Sequence, residues 1–256
     1  MGINAFLTGC SFLASPRWSF IEQDKNFENK KIDYFPGGGN NIIVANLLQR
    51  IIKNKYDFVF VSFSGFDRDD FLIDKECESH FDYHCHSYDL MNNMWIHSGG
   101  FGASYQFEDK QNIFKSRYKF GFNDIHQILI NCNLILTAQT ILKNLNIPYI
   151  FCFYSNQLEV KNFAVNQSYD GKGLLKREYV SIKNYKAYIP CLELIDWDKF
   201  WFYENVYSKY CGLEEYAYDL GHDYLLEDQH HPTEKANYKF WYEEIIPLYN
   251  NLYCKR

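Results

Sequence analysis

The chain has 256 residues, with 26 Lys and Arg against 32 Asp and Glu and a formal net charge of −6. A chain of this length can bury about three-quarters of its unfolded surface in one domain, so we expect a single domain over residues 1–256. The acidic balance, with no basic stripe, argues against a nucleic-acid partner. No apolar run approaches the roughly 20 residues of a membrane span, so we expect none.

The eight cysteines are scattered along the chain, and several lie inside apolar runs. This distribution is typical of buried thiols in a reducing compartment rather than of a disulfide framework. We therefore expect a cytoplasmic protein.

The first predicted element is a short buried strand at residues 3–7, followed by Thr8-Gly9-Cys10-Ser11. Gly9 permits a sharp exit from the strand, and the residues from Ser11 onward can open a helix. A serine at that point lies where backbone N–H groups and the helix dipole favour a developing negative charge. The alternative is that Ser11 only caps the helix, because serine is a preferred N-cap residue.

A second strand is predicted at residues 31–35, and Pro36-Gly37-Gly38-Gly39-Asn40-Asn41 separates it from a helical stretch at 42–52. A glycine directly before a helix lets a ligand approach the backbone, so the N–H groups of Gly39 and Gly38 are candidate anion donors. The alternative is a flexible strand-to-helix turn. The spacing does not match a dinucleotide fingerprint or a phosphate loop, so nucleotide binding is not predicted.

The third predicted strand, residues 58–63, is a continuous apolar run of the kind found in central parallel strands. It leads into Ser64-Gly65-Phe66-Asp67-Arg68, where the adjacent charges Asp67 and Arg68 can form a local ion pair. We interpret residues 69–122 as an insertion. His84-Cys85-His86 within it lacks a second ligand pair at zinc spacing, so no metal site is predicted.

Helical periodicity at residues 124–145 precedes a strand at 149–154, and Thr233-Glu234 suits the start of a last helix. We interpret residues 156–202, between that strand and the C-terminal motif, as a second irregular region. The alternation of strands and helices predicts an α/β fold, a three-layer α/β/α sandwich with a central, mainly parallel sheet. Ligands of such sheets bind beyond the carboxyl ends of the strands, where Ser11 and the glycine loop both fall.

The most informative motif near the C-terminus is Asp228-Gln229-His230-His231-Pro232. A serine hydroxyl becomes a good nucleophile when an imidazole takes its proton and a carboxylate orients that imidazole. Asp228 and His231 can supply the second and third members of such a set from one short loop.

Together these motifs resemble those of the Ser-Gly-Asn-His (SGNH) hydrolases, also called GDSL-type esterases and lipases. Gly9-Cys10-Ser11 matches the first family motif, Gly-Asp-Ser, with Cys10 in place of Asp, and the C-terminal motif matches Asp-x-x-His-Pro in full. The resemblance implies Ser11 as nucleophile, His231 as general base and then acid, and Asp228 as the group that orients His231. It also implies an SGNH-hydrolase-like, flavodoxin-like sheet. We expect no cofactor and no metal.

The resemblance also implies an oxyanion hole, built from the N–H of Ser11, a glycine N–H after the second strand and an Asn side chain after the third. Gly39 is the favoured glycine and Gly38 the second choice. No Asn stands at the expected position after the third strand. Ser64 and Asn41 are the candidate replacements.

From this resemblance we expect a serine esterase or O-acyltransferase that acts through an acyl-enzyme on a small-molecule or glycan ester, with O-acetylated carbohydrate as the favoured substrate. The missing Asn and the cysteine at position 10 keep an alternative open. In that alternative the fold is retained with weak or no turnover, and the protein binds carbohydrate or serves in assembly.

Overall fold

The computed structural model describes residues 3–14, 17–36, 38–66, 68, 70–73, 88–90, 93–97, 124–158, 168–169, 175–176, 190–206, 208–227 and 231–254. The strands in chain order are β1 Ile3–Cys10, β2 Phe27–Phe35, β3 Phe58–Phe63, β4 Asp70–Ile73, β5 Tyr88–Leu90, β6 Asn93–His97, β7 Tyr149–Phe153, β8 Ser168–Tyr169, β9 Leu175–Lys176 and β10 Phe200–Trp201.

The α-helices are α1 Ser19–Glu22, α2 Asn40–Lys53, α3 Asp124–Asn144, α4 Leu213–Leu220, α5 Glu234–Lys239 and α6 Ile246–Tyr253. A π-helical turn, Phe240–Ile245, joins α5 to α6. Short 3₁₀ turns occupy Ser11–Leu13, Pro190–Leu194, Trp197–Lys199 and His222–Tyr224.

Five strands form the central sheet in the order β10-β7-β3-β1-β2, and every pairing is parallel. If these five strands are renumbered in chain order and read from the β2 edge, this is the 2-1-3-4-5 order of flavodoxin-like sheets. In this order the direction in which successive strands are added to the sheet reverses between β1 and β3. The predicted α/β fold is therefore confirmed. Ligands of this architecture bind at the reversal point, which is where β1 ends in Cys10.

Both faces of the sheet are covered, since every residue of β3 and β7 is buried, and this explains their largely apolar sequences. On one face the rings of Phe58 and Phe60 lie 6.3 and 5.6 Å from Trp241 of the π-helical turn, measured between centroids. Trp18 packs at right angles to the same indole. Helices α2 and α3 pack against each other in the other layer.

The two regions predicted to be irregular contain regular structure in their described parts. Within the predicted insertion, β4, β6 and β5 form a small antiparallel sheet. Further along the chain, Phe200 and Trp201 add β10 to the edge of the central sheet. The expectation of an irregular segment over 156–202 was wrong there, because a two-residue edge strand leaves no alternating pattern to detect.

Two further expectations can be compared with the described residues. None of the described helices is long and apolar enough to cross a membrane. No disulfide joins the six described cysteines, Cys10, Cys132, Cys152, Cys191, Cys211 and Cys254.

Candidate active site

The two ends of the chain meet at the carboxyl edge of the sheet. The hydroxyl oxygen of Ser11 lies 2.8 Å from Nε2 of His231, although the two residues are 220 positions apart in sequence. Both side chains are half-buried. The distance is that of a hydrogen bond, and an imidazole whose Nε2 accepts from a serine hydroxyl can act as a base. The structure thus brings together the predicted nucleophile and the predicted base.

Ser11 begins a single 3₁₀ turn directly after β1. The N-cap position of this turn belongs to Cys10, and no side chain there makes a capping hydrogen bond. The alternative that Ser11 serves only as an N-cap is therefore wrong. Its hydroxyl is directed at His231 instead.

Hydrogen bonds to carbonyl groups hold this nucleophile turn, which we define as residues 10–14. The carbonyl of Ser11 accepts from Nη2 of Arg17 at 2.6 Å and from the N–H of Ala14 at 3.0 Å. The carbonyl of Phe12 accepts from the indole N–H of the buried Trp18 at 2.7 Å. These bonds fix the backbone that carries the hydroxyl, and a fixed position is what a catalytic nucleophile needs.

Gly9 is needed for close approach between neighbouring elements rather than for a sharp exit. A Cβ at this position would lie 2.7 Å from the carbonyl oxygen of Ser62 in β3 and 2.8 Å from Cδ1 of Leu13. Any side chain would therefore push the nucleophile turn away from the strand beside it.

Cys10 occupies the position where the resembling family has Asp, and its thiol is fully buried. The backbone N–H of Phe12 and the hydroxyl of Ser64 both interact with its sulfur. An Asp side chain commonly accepts from the N–H two residues later, so the thiol takes over a turn-forming contact. Burial raises the pKa of the Cys10 thiol above its ordinary value, which keeps it neutral.

A short closed loop positions His231. Its carbonyl accepts from the N–H of Leu226 at 2.8 Å, and Leu225 and Pro232 form an antiparallel bridge. The imidazole packs 4.9 Å from the ring of Phe12, measured between centroids. Asp228 belongs to this loop by sequence but lies outside the described residues, so its role in orienting His231 stays a prediction.

The N–H groups of Gly38 and Gly39 already have partners within the protein. Gly39 donates to Oδ1 of Asp70 at 2.6 Å, and Ile42 donates to Oδ2 of the same carboxylate at 3.0 Å. Gly38 donates to the carbonyl of Phe35 at 2.9 Å. Both predicted glycine donors are thus engaged in this structure. Sequence reasoning missed Asp70, which contacts Gly39 from 31 positions away and leaves no local pattern.

Ser64, a candidate replacement for the missing Asn, is fully buried and tied to its neighbours. Its N–H donates to Oδ1 of Asn40 at 2.6 Å, and its hydroxyl accepts from Nη1 of Arg68 at 3.0 Å. These bonds give it a structural role. Asn41, the other candidate, is half-buried in the first turn of α2.

Two arginines that sequence reasoning did not assign to the site lie close to the nucleophile turn. Arg17 binds the carbonyl of Ser11, as described above. The expected ion pair between Asp67 and Arg68 stays a prediction, because Asp67 lies outside the described residues. Arg68 contacts Ser64 and lies over the ring of Tyr154. An arginine after a strand carries no pattern that distinguishes a site residue from a surface one.

Among the described residues, no group of three or more His, Cys, Asp or Glu could hold a metal ion. His84-Cys85-His86 lies outside the described part of the chain.

No protein-family model, curated protein or solved structure matches this chain.

Proposed function

We propose that the protein is a serine esterase or O-acyltransferase that forms an acyl-enzyme on Ser11. The observation that carries this proposal is the 2.8 Å contact between the Ser11 hydroxyl and Nε2 of His231 at the carboxyl edge of a parallel sheet. The fixed nucleophile turn supports it, because a base is useful only when its target is held within reach.

In the proposed reaction, Oγ of Ser11 attacks the carbonyl carbon of an ester while Nε2 of His231 takes the hydroxyl proton. The carbonyl electron pair moves to oxygen, giving a tetrahedral oxyanion. Collapse of this intermediate expels the alcohol, which receives its proton from His231. The acyl group remains on Ser11, and Asp228 is the proposed partner that orients the imidazole.

A second nucleophile then removes the acyl group by the reverse sequence. Water gives hydrolysis, and a sugar hydroxyl gives transfer. The favoured substrate, an O-acetylated carbohydrate, comes from the family resemblance. A cytoplasmic location is part of the proposal, and it is supported by the six cysteines in the described part of the chain, which form no disulfide and suit a reducing compartment.

The test is labelling with a serine-reactive fluorophosphonate, with the adduct mapped by mass spectrometry. We expect an adduct on Ser11 in the parent, none in Ser11→Ala and almost none in His231→Ala. The matched controls are Ser19→Ala and His222→Ala, which remove a serine and a histidine outside the site and should label like the parent. Labelling of the parent elsewhere, or not at all under folded conditions, would contradict the proposal.

Hydrolysis and transfer are separated by product analysis with an acetyl donor ester, with and without a sugar acceptor. Acetate release at the same rate under both conditions identifies an esterase. Acetylated acceptor formed at the expense of acetate identifies a transferase. The Ser11→Ala variant should give neither product.

One observation favours a second candidate, a carbohydrate-binding protein with weak or no turnover. The N–H of Gly39, which the resemblance assigns to the oxyanion, is held by Asp70 in this structure. A binding protein would retain its affinity for a glycan ester in Ser11→Ala while the parent cleaves none. Robust ester cleavage by the parent would remove this candidate.

A further inference from the structure

The proposed reaction needs donors for an oxyanion, and the donors expected from sequence are largely engaged elsewhere. Gly38 and Gly39 donate to Phe35 and Asp70, and the N–H of Ser64 donates to Asn40. Removing one oxyanion donor typically costs about 100- to 1,000-fold in rate. A serine hydrolase in which these groups stay engaged gains from another donor close to the nucleophile turn.

Arg68 lies at the carboxyl ends of β3 and β7. Its Nη1 donates to the hydroxyl of Ser64, the residue after β3, at 3.0 Å. Its Cζ lies 5.2 Å from the ring centroid of Tyr154, the residue after β7. A guanidinium over an aromatic face is held electrostatically as well as by its hydrogen bond. Two anchors thus hold the charged group at the carboxyl edge of the sheet, the edge at which β1 ends and Ser11 follows.

Packed rings connect this guanidinium to the catalytic pair. The ring of Tyr154 lies 5.0 Å from that of Phe12, and Phe12 lies 4.9 Å from the imidazole of His231. The positive charge of Arg68 also acts on the thiol of Cys10, the residue directly before Ser11, by lowering its pKa. Burial raises the pKa of Cys10, and of the effects that lower it, the positive charge of Arg68 is the largest.

We propose that Arg68 completes the oxyanion hole, donating an N–H to the carbonyl oxygen of the ester as that oxygen becomes negative. This inference rests on the proposed serine chemistry. A guanidinium carries five N–H donors in a rigid fork, so it can hold Ser64 and a substrate oxygen together. Its permanent charge stabilises the oxyanion more strongly than the neutral amide that it replaces.

The experiment measures the rate constant for fluorophosphonate labelling of Ser11, which needs no knowledge of the natural substrate. Oγ of Ser11 attacks phosphorus and fluoride leaves, while the phosphoryl oxygen gains negative charge in the same position as an ester oxyanion. We expect Arg68→Met to label about 100- to 1,000-fold more slowly than the parent. With p-nitrophenyl acetate, kcat should fall by a similar factor while KM changes little.

The matched control is Arg50→Met, which removes a half-buried arginine that pairs with Asp33 far from the site. It should label at the parental rate. If Arg68→Met does not fold, as judged by circular dichroism, Arg68→Lys provides the test. A single ammonium lacks the fork needed for two partners, so we expect labelling to slow by about tenfold or more.

The outcomes separate this inference from the proposed function. A parent that is not labelled at Ser11 contradicts both. A parent labelled at Ser11 together with folded Arg68 variants that label equally fast contradicts only the role of Arg68. Variants that raise KM for a carboxylate-bearing ester, yet leave kcat and labelling unchanged, would show that Arg68 binds a substrate anion and would overturn its oxyanion role.

Discussion

The carboxyl ends of β1 and β2 carry the two motifs that predict anion stabilisation, and the structure uses them differently. After β1, the carbonyls of Ser11 and Phe12 are held by Arg17 and Trp18, which leaves the Ser11 hydroxyl directed at His231. After β2, the N–H groups themselves are held, with Gly39 bound by Asp70. The segment after β1 directs its Ser11 hydroxyl at His231, whereas the segment after β2 has the N–H groups of Gly38 and Gly39 engaged by the protein itself.

The difference has a physical origin in the N-terminus of α2. Gly39 is the N-cap residue of this helix and has no side-chain oxygen to accept the first N–H groups. The carboxylate of Asp70 accepts two of these N–H groups, those of Gly39 and Ile42, and the helix dipole favours a negative charge at that position. A glycine that permits close approach to a ligand therefore also permits close approach of the protein's own carboxylate.

The largest effect is expected at the β1 end, from His231→Ala. If the proposed chemistry holds, loss of the base should lower kcat/KM by about 10⁴- to 10⁶-fold, the range known for hydrolases with an activated serine. The loop should survive, because the bond from Leu226 reaches the backbone carbonyl of residue 231, which alanine retains. Added imidazole should restore part of the activity, and melting should match that of His222→Ala. Retention of most activity would remove His231 from the mechanism.

A smaller effect at the same end is expected from Arg17→Met. This change removes the 2.6 Å bond to the carbonyl of Ser11 and loosens the nucleophile turn. Misplacement of a catalytic group by about 1 Å can cost about 100-fold, so we expect kcat to fall by about 10- to 100-fold with a smaller change in KM. Steady-state kinetics beside Arg50→Met provide the comparison. An unchanged kcat would show that Ala14 and Trp18 suffice to fix the turn.

At the β2 end, Asp70→Ala should affect stability rather than catalysis. It removes the acceptor for two helix N-terminal N–H groups, and we expect the free energy of unfolding to fall by about 1–2 kcal/mol. Urea unfolding measures this. Asp57→Ala, which removes an exposed acceptor for the N–H of Asn4, should cost less. A gain in kcat for Asp70→Ala would show that Gly39, once released, is the oxyanion donor.

The comparison also explains which features the sequence could predict. Sequence patterns located the four longer strands of the sheet, helices α2 and α3 and the last helical stretch, but they did not predict α1 or α4. A buried parallel strand is easy to find because it is a continuous apolar run, as in residues 58–63. The pairing of Ser11 with His231 followed from residue types at the ends of the chain. The contacts of Asp70 and Arg68 depend on how segments far apart in sequence pack, and no local pattern encodes them. Strand β10 was missed because its two residues, Phe200 and Trp201, are too few to show an alternating pattern.

The smallest effect is expected from Cys10→Ser. This change tests whether the thiol at the end of β1 serves only as a hydrogen-bond partner of its neighbours or also acts in its ionised form. A serine hydroxyl can keep the contacts with Phe12 and Ser64, so kcat should change by less than about threefold.

The pH dependence of stability sharpens this test. Burial raises the pKa of the folded Cys10 thiol. Above about pH 8.5 the unfolded thiol loses its proton while the folded one keeps it, so unfolding releases a proton and the free energy of unfolding falls as pH rises. Cys10→Ser removes this contribution. The variant should therefore lose less stability than the parent between pH 7 and pH 10 in urea unfolding. Equal losses would mean that the thiol ionises alike in both states, and a large fall in kcat would instead assign Cys10 a role in the chemistry beside Ser11.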